Sequence, residues 1–150
     1  PATTQEVLRE HDGWHEDAIG LINAVPKDGF YKWALFDRDP LPVWSKGRVT
    51  LLGDAAHPML PFQGMGAAMA LEDAVVLARC FGAAENLAEA FSRYEKARVE
   101  YANAVLLGSR AMGLWYQTTD PDNFSGFPNP SSLGGPEGSL MAYNPQTVEI

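Results

Sequence analysis

The chain has 150 residues, 46% of them hydrophobic, enough for one ordinary globular core and too few to promise two. Its formal net charge of -8 at pH 7 argues against a nucleic-acid partner, because neutralising phosphates needs clustered Lys and Arg. A single cysteine, Cys80, rules out an intrachain disulfide, and no charged leader or long apolar run marks secretion or a membrane span, so a cytoplasmic chain is expected.

The opening Pro1-Ala2-Thr3 lacks a methionine and suits either methionine removal or a piece of something longer. Residues 1 to 15 are polar. From Glu16 to Val25, Ala18, Ile19 and Ile22 fall at helical spacing until Pro26, which predicts a short surface helix. After the turn residues Lys27-Asp28-Gly29, the run Phe30 to Phe36 alternates Tyr31, Trp33 and Leu35 with Phe30, Ala34 and Phe36, which predicts a strand buried on both faces. Pro40 and Pro42 then force a loop, since neither can donate in a sheet ladder. The apolar run Val49, Leu51 and Leu52 follows the turn residues Lys46-Gly47 and predicts a second strand.

That strand leads into Gly53-Asp54-Ala55-Ala56-His57-Pro58, then Pro61-Phe62-Gln63-Gly64-Met65-Gly66, then an Ala-, Leu- and Met-rich stretch. Leu71, Ala74, Val75, Ala78 and Phe81 give that stretch a helical stripe, with Gly82 expected to end it. Asn86 is placed to cap a longer helix in which Phe91, Tyr94, Arg98, Tyr101 and Val105 recur at three- and four-residue spacing. Gly108 and Gly113 are expected to weaken its far end. Beyond Thr118 the chain carries five prolines, four glycines, four acidic residues and no Lys or Arg, which predicts irregular structure. Its apolar residues, Tyr143 and Val148 among them, suggest a tail that docks on another domain or another chain. Three segments follow: 1–45, 46–118 and 119–150.

A carboxylate just past a strand end accepts hydrogen bonds from sugar or ribityl hydroxyls, and Asp54 fits that task. Gly64 and Gly66 have no β-carbon, so a planar ring can approach the backbone at a helix start carrying roughly half a positive charge. That order suits a nucleotide or flavin. Taken alone, a Gly-Asp pair reads as a turn; the longer run is far more specific. His11 and His15 lie four apart with Gly13 between them and no third ligand, so no metal site is expected. Glu72 and Asp73, adjacent on a helix, point about 100° apart and cannot act as a facing acid and base; they are expected to favour the helix's positive end. Arg38 is expected to pair with Asp37 or Asp39 rather than with a nicotinamide phosphate or an aromatic carboxylate. His57 either contacts substrate or fixes the Asp54 turn, and the structural role is preferred because a single histidine shows no partner in the sequence.

The run Gly47-Arg48-Val49-Thr50-Leu51-Leu52-Gly53-Asp54-Ala55-Ala56-His57-Pro58, with Pro61, Gly64-x-Gly66 and Glu72-Asp73-Ala74, resembles the second FAD motif of the class A flavoprotein aromatic monooxygenases, nearest the salicylate hydroxylase-like branch. The resemblance covers residues 30 to 110 in pattern and is most specific over 47 to 77. It implies an α/β (α+β) chain, mostly helical with a few strands, forming the carboxy-terminal part of a Rossmann-like FAD-binding and substrate-domain flavoprotein. It also implies FAD as cofactor, NAD(P)H as reductant and a small aromatic substrate. Gly53 and Asp54 would then meet the ribityl or pyrophosphate region, Pro61 would lie beside the flavin ring, and Gly64, Met65, Gly66, Ala67 and Ala68 would offer backbone amides to its pyrimidine edge. His57 would lie near the flavin, and no residue is a secure catalytic acid or base.

The usual Gly-x-Gly-x-x-Gly turn for the ADP half of FAD is not found. Gly64-Met65-Gly66-Ala67-Ala68-Met69 has Met69 where the third glycine belongs, and no parallel strand follows its helix. An amino-terminal FAD domain is therefore expected as a missing partner, with the chain inactive alone. The alternative is a non-catalytic fragment that associates, as a homo-oligomer or with a complementary chain, through exposed strands or the tail.

Overall fold

The computed structural model describes residues 1–118 and 143–150, grouped in two compact units, Pro1–Leu35 and Phe36–Ile150. Most of the acidic tail therefore lies outside the described residues.

The first unit holds helices α1 (Thr4–Glu10) and α2 (Glu16–Ala24). α1, unforeseen in the polar opening, starts from a reciprocal cap. Thr3 Oγ1 accepts from Glu6 N at 3.2 Å, and Glu6 Oε2 accepts from Thr3 N at 2.7 Å. The two histidines serve separate helices: His11 Nδ1 donates to Val7 O at 2.7 Å, while His15 Nδ1 accepts from Asp17 N at 3.3 Å and caps α2.

Phe30 to Phe36 is not a strand, and it is not buried. Tyr31, Trp33, Leu35 and Phe36 are all exposed, Trp33 by 82%. Among the described residues its one backbone bond runs from Ala2 N to Phe30 O at 2.9 Å. Alternation sets which side chains share a face, but a strand exists only where a neighbour completes its ladder, and no described segment does.

In the second unit, β1 (Ser45–Lys46) and β2 (Val49–Thr50) form an antiparallel hairpin, with Ser45 opposite Thr50 and Lys46 opposite Val49. Gly47 supplies the positive φ of +62° that a two-residue turn with glycine first requires. The ladder is shorter than the apolar run implied. It passes through short 3₁₀ turns at Gly53–Ala55 and Pro61–Gln63 into α3 (Gly66–Ala83) and α4 (Leu87–Tyr116).

α3 continues past Gly82. It stops where Ala84 turns extended, letting Asn86 Oδ1 accept from Glu89 N at 3.0 Å and start α4. α4 likewise runs through Gly108 and Gly113, both buried, because packing rather than propensity sustains a 30-residue helix. Met69, Val76, Cys80, Tyr94 and Val105 from the two helices close the core with Trp44 from the hairpin approach.

α4 also holds the loops that precede it. Glu95 Oε1 accepts from Trp44 N at 2.6 Å, Asn103 Nδ2 donates to Leu41 O at 3.0 Å, and Ser109 Oγ donates to Leu60 O. Residues 143–150 dock on α3 and α4 of their own chain. Arg79 donates to Pro145 O at 2.7 Å and to Val148 O at 2.9 Å, and Tyr143, Val148 and Ile150 pack against the core.

Gly113 lies where the Phe62 ring presses on α4. A β-carbon there would stand 2.4 Å from Phe62 Cε2 and 2.5 Å from Cδ2. Gly113→Ala is therefore expected to cost about 1–3 kcal/mol despite alanine's better helix propensity. Urea denaturation checks this, and Phe62→Leu in the same chain should recover most of the loss.

Candidate functional site

A concave cleft of about 640 Å³ is lined by Leu52, Gly53, Asp54, Met59, Leu60, Pro61, Gly64, Gly66, Ala67 and Ala70. Three pieces of backbone build it.

The first is the turn that follows β2. Gly53 sits at φ +59°, and a β-carbon there would meet Ala70 Cβ at 3.2 Å, so both conformation and space call for glycine. Ala56 N and His57 N both donate to Gly53 O, at 2.8 and 2.9 Å. The turn presents Asp54 to solvent, and no side-chain hydrogen bond to its carboxylate is formed among the described residues.

The second piece is the Leu60–Gly64 turn. Ser109 anchors it at Leu60 O, and Gly64 closes it at φ +67° with its N–H on Pro61 O at 2.9 Å.

The third is the start of α3. Its N-cap, Met65, makes no side-chain cap bond, and the first turn carries no acidic residue, so the leading amides and the positive end of an 18-residue helix are left to the cleft. Gly66 is informative here. Its φ is ordinary, and an added β-carbon would meet nothing nearer than Met59 Cγ at 4.0 Å. Nothing in the chain's own packing asks for glycine at that position.

Of the residues singled out in the sequence, Gly53, Asp54, Pro61, Gly64, Gly66 and Ala67 meet in this cleft. Met65 packs against the core instead, and Ala68 does not line the cleft. His57 is wholly buried beneath the turn, and it has a partner. Its Nε2 donates to Asp73 Oδ2 at 2.6 Å, while Nδ1 finds none among the described residues.

Asp73 is the group that sequence reasoning missed. It is fully buried on α3 rather than serving the helix end. Its Oδ2 also accepts from Gly53 N at 2.9 Å, and its Oδ1 accepts from Arg98 Nε at 2.7 Å. Arg98, also fully buried, donates to Glu72 Oε2 at 2.9 Å and to Met69 O at 3.2 Å. One clue was available: an arginine on the apolar stripe of α4 demands an acidic partner from another element.

Arg38 departs from expectation too. Asp37 and Asp39 pair with Arg110 of α4, at 2.7 and 3.2 Å. Arg38 instead donates to the carbonyls of Ala55 and Ala56, at 2.7 and 2.6 Å, and so clamps the outer side of the Asp54 turn.

Burial pushes the Asp73 carboxyl up, but the His57 hydrogen bond, the Arg98 charge and the Gly53 N–H reverse this and hold it below its ordinary value. Glu72 goes the other way, raised chiefly by burial against the opposing Arg98 charge. A carboxylate depressed on folding contributes stability above its unfolded pKa of about 4 and loses it as pH falls through the folded value. The thermal midpoint is expected to fall below about pH 4, and Asp73→Asn should flatten that fall while lowering the midpoint at neutral pH. Melting curves across pH check both.

Residues 35–109 match a family described as the FAD binding domain. The chain is 44% identical over 125 residues to 6-hydroxynicotinate 3-monooxygenase of Bordetella bronchiseptica, covering 81% of this chain and 32% of that protein. It is 41% identical over 124 residues to salicylate hydroxylase of Pseudomonas putida, covering 80% and 28%. Among solved structures, a variant of Klebsiella pneumoniae HpxO complexed with FAD aligns with a TM-score of 0.74 at 30% identity, over 81% of this chain and 32% of that one. A salicylate hydroxylase substrate complex aligns at 0.67 and 37% identity, over 83% and 32%. The chain thus spans about 30% of the length of the curated relatives it matches.

Proposed function

This chain belongs to the FAD binding domain family of salicylate hydroxylase-like aromatic monooxygenases, and we propose that it forms the flavin side of the FAD site in a longer enzyme that uses NAD(P)H and oxygen to hydroxylate a small aromatic compound. When bound, FAD supplies the redox chemistry, taking electrons from the reduced nicotinamide and activating oxygen.

The observation that carries the reading is Gly66, a glycine at a helix start, on the cleft, with no reason of its own chain to be one. A ring lying against the backbone supplies that reason. The leading amides of α3 would steady negative charge gathering on a ring carbonyl or nitrogen. Asp54 would accept from ribityl hydroxyls, and Gly53 would set the direction in which it points. Leu52, Met59, Leu60 and Pro61 would keep water from the ring. Asp54 is the one ionisable residue among the described residues lining the cleft, and with its carboxylate given to the ribityl hydroxyls that lining offers no other group to move a proton.

The Rossmann-like ADP half of the site is assigned to an amino-terminal domain beyond this chain, and the holoenzyme to the cytoplasm. Among the described residues no helix is long and apolar enough to cross a membrane. A second reading, self-association of a non-catalytic fragment, draws on the exposure of Trp33, Phe36, Leu71 and Leu114. Sedimentation across a dilution series separates the two, since a fragment built to associate should remain oligomeric at low concentration.

The flavin reading is tested by exchanging residues 35–150 into the Bordetella bronchiseptica relative in place of its matching segment. A yellow protein that oxidises NAD(P)H faster when an aromatic substrate is added is the expected result. A folded but colourless chimera would overturn the reading.

A further inference from the structure

Tyr143 lies outside the cleft yet meets the group that anchors it. Its ring stacks on Tyr101, with centroids 4.1 Å apart and 13° between the planes. The guanidinium carbon of Arg98 stands 4.6 Å from the Tyr143 ring centroid and 5.3 Å from that of Tyr101. The Tyr143 hydroxyl donates to Ala97 O at 3.2 Å, which fixes the ring over α4. Arg98 is thus held by two aromatic rings as well as by Asp73 and Glu72. Asp73 in turn binds Gly53 N and His57 Nε2, the two ends of the turn that presents Asp54.

From this chain of contacts the geometry points to Tyr143 as a positioning residue for the Gly53–His57 turn, acting through Arg98 and Asp73, so that its ring sets how tightly the cleft takes a flavin. The inference rests on the cofactor reading above. Its physical basis is that a planar guanidinium satisfies its carboxylates in one orientation only, and the stacked rings restrict its rotation. With the Tyr143 ring gone, Arg98 can turn away from Asp73 Oδ1. Asp73 then follows, and the left-handed Gly53 loses the acceptor that keeps it there.

The test compares Tyr143→Ala with Tyr143→Phe, which keeps the stack and loses the hydroxyl. Arg79→Met is the control: it frees Pro145 O and Val148 O, loosening the same segment without touching Arg98. Two quantities are read: the amide resonance of Gly53 and ring resonances of His57 in the flavin-free chain, and FAD affinity in the chimera described above. Tyr143→Ala should move the Gly53 and His57 resonances and weaken FAD binding about five- to tenfold, a coupling ordinary for groups in one network. Tyr143→Phe should restore both, and Arg79→Met should move neither even where it lowers the melting temperature. Unmoved resonances in Tyr143→Ala, or equal shifts in Arg79→Met, would overturn the inference. If Tyr143→Ala does not fold, Tyr143→Leu makes the same comparison with an apolar contact kept. Should the parent chimera bind no flavin, the cofactor reading fails, while the flavin-free resonances still decide the coupling.

Discussion

Replacing Arg98 with methionine is expected to cost about 3–5 kcal/mol of unfolding free energy, the largest effect of any single substitution considered for this chain. The arginine is fully buried, and its carboxylate partners are exposed by no more than 0% at Asp73 and 15% at Glu72. Methionine fills much of the same volume, so the loss comes from stranding two carboxylates out of water rather than from a cavity. Urea denaturation should show a lower midpoint with an unchanged slope. Adding Asp73→Asn should return part of the loss, because the pair is coupled and the second change removes the orphaned charge. The contrast is Arg93→Met. Its partner Glu89 and its own side chain are about a third exposed, so that loss should stay within about 1 kcal/mol. Equal losses at Arg93 and Arg98 would mean that the buried network does not organise the fold.

Gly66→Val should do the reverse, leaving stability intact and removing the ligand. The β-carbon of valine at this position would meet only Met59 Cγ, at an ordinary van der Waals distance of 4.0 Å, and its helix propensity slightly exceeds that of glycine. Melting should therefore be unchanged or marginally improved. Flavin affinity should fall by about 100-fold or more, since the branched side chain enters the space a ring would occupy and separates it from the helix amides. Gly64→Val would be a poorer probe, because the φ of +67° there makes any side chain strained whether or not a ligand binds. Asp54→Ala should weaken flavin binding by about tenfold through loss of charge-assisted hydrogen bonds. A Gly66→Val protein that binds flavin as the parent does would show that the cleft is not where the ring lies.

The cleft was legible because its parts are consecutive. Gly53, Asp54, Pro61, Gly64 and Gly66 sit within fourteen positions of one another, and each carries its reason in its own residue type. The two long helices were legible for a related reason: Asn86 and the apolar stripes act through neighbours three and four residues away. What lay hidden depends on distance along the chain. Asp73 and Arg98 are 25 residues apart, and only the packing of α3 on α4 joins them. Arg38 was misread because Arg110, 73 residues beyond Asp37, takes the aspartates that flank it. Phe30 to Phe36 has a strand's alternation without a strand's partner, and alternation cannot report whether a neighbour exists. α1 is the exception, since the Thr3-x-x-Glu6 cap was local and visible but preceded no apolar run to draw attention to it.

Titrating FAD into the isotope-labelled chain to millimolar concentration, and following every backbone amide, bears most directly on the claim that this cleft takes the flavin. Weak binding by the chain alone is sufficient for the purpose. The account predicts progressive shifts concentrated at Gly53, Asp54, Gly64, Gly66 and Ala67, absent in Gly66→Val. Amides that stay still, or shifts scattered over α2 and the exposed Tyr31–Phe36 segment, would contradict it.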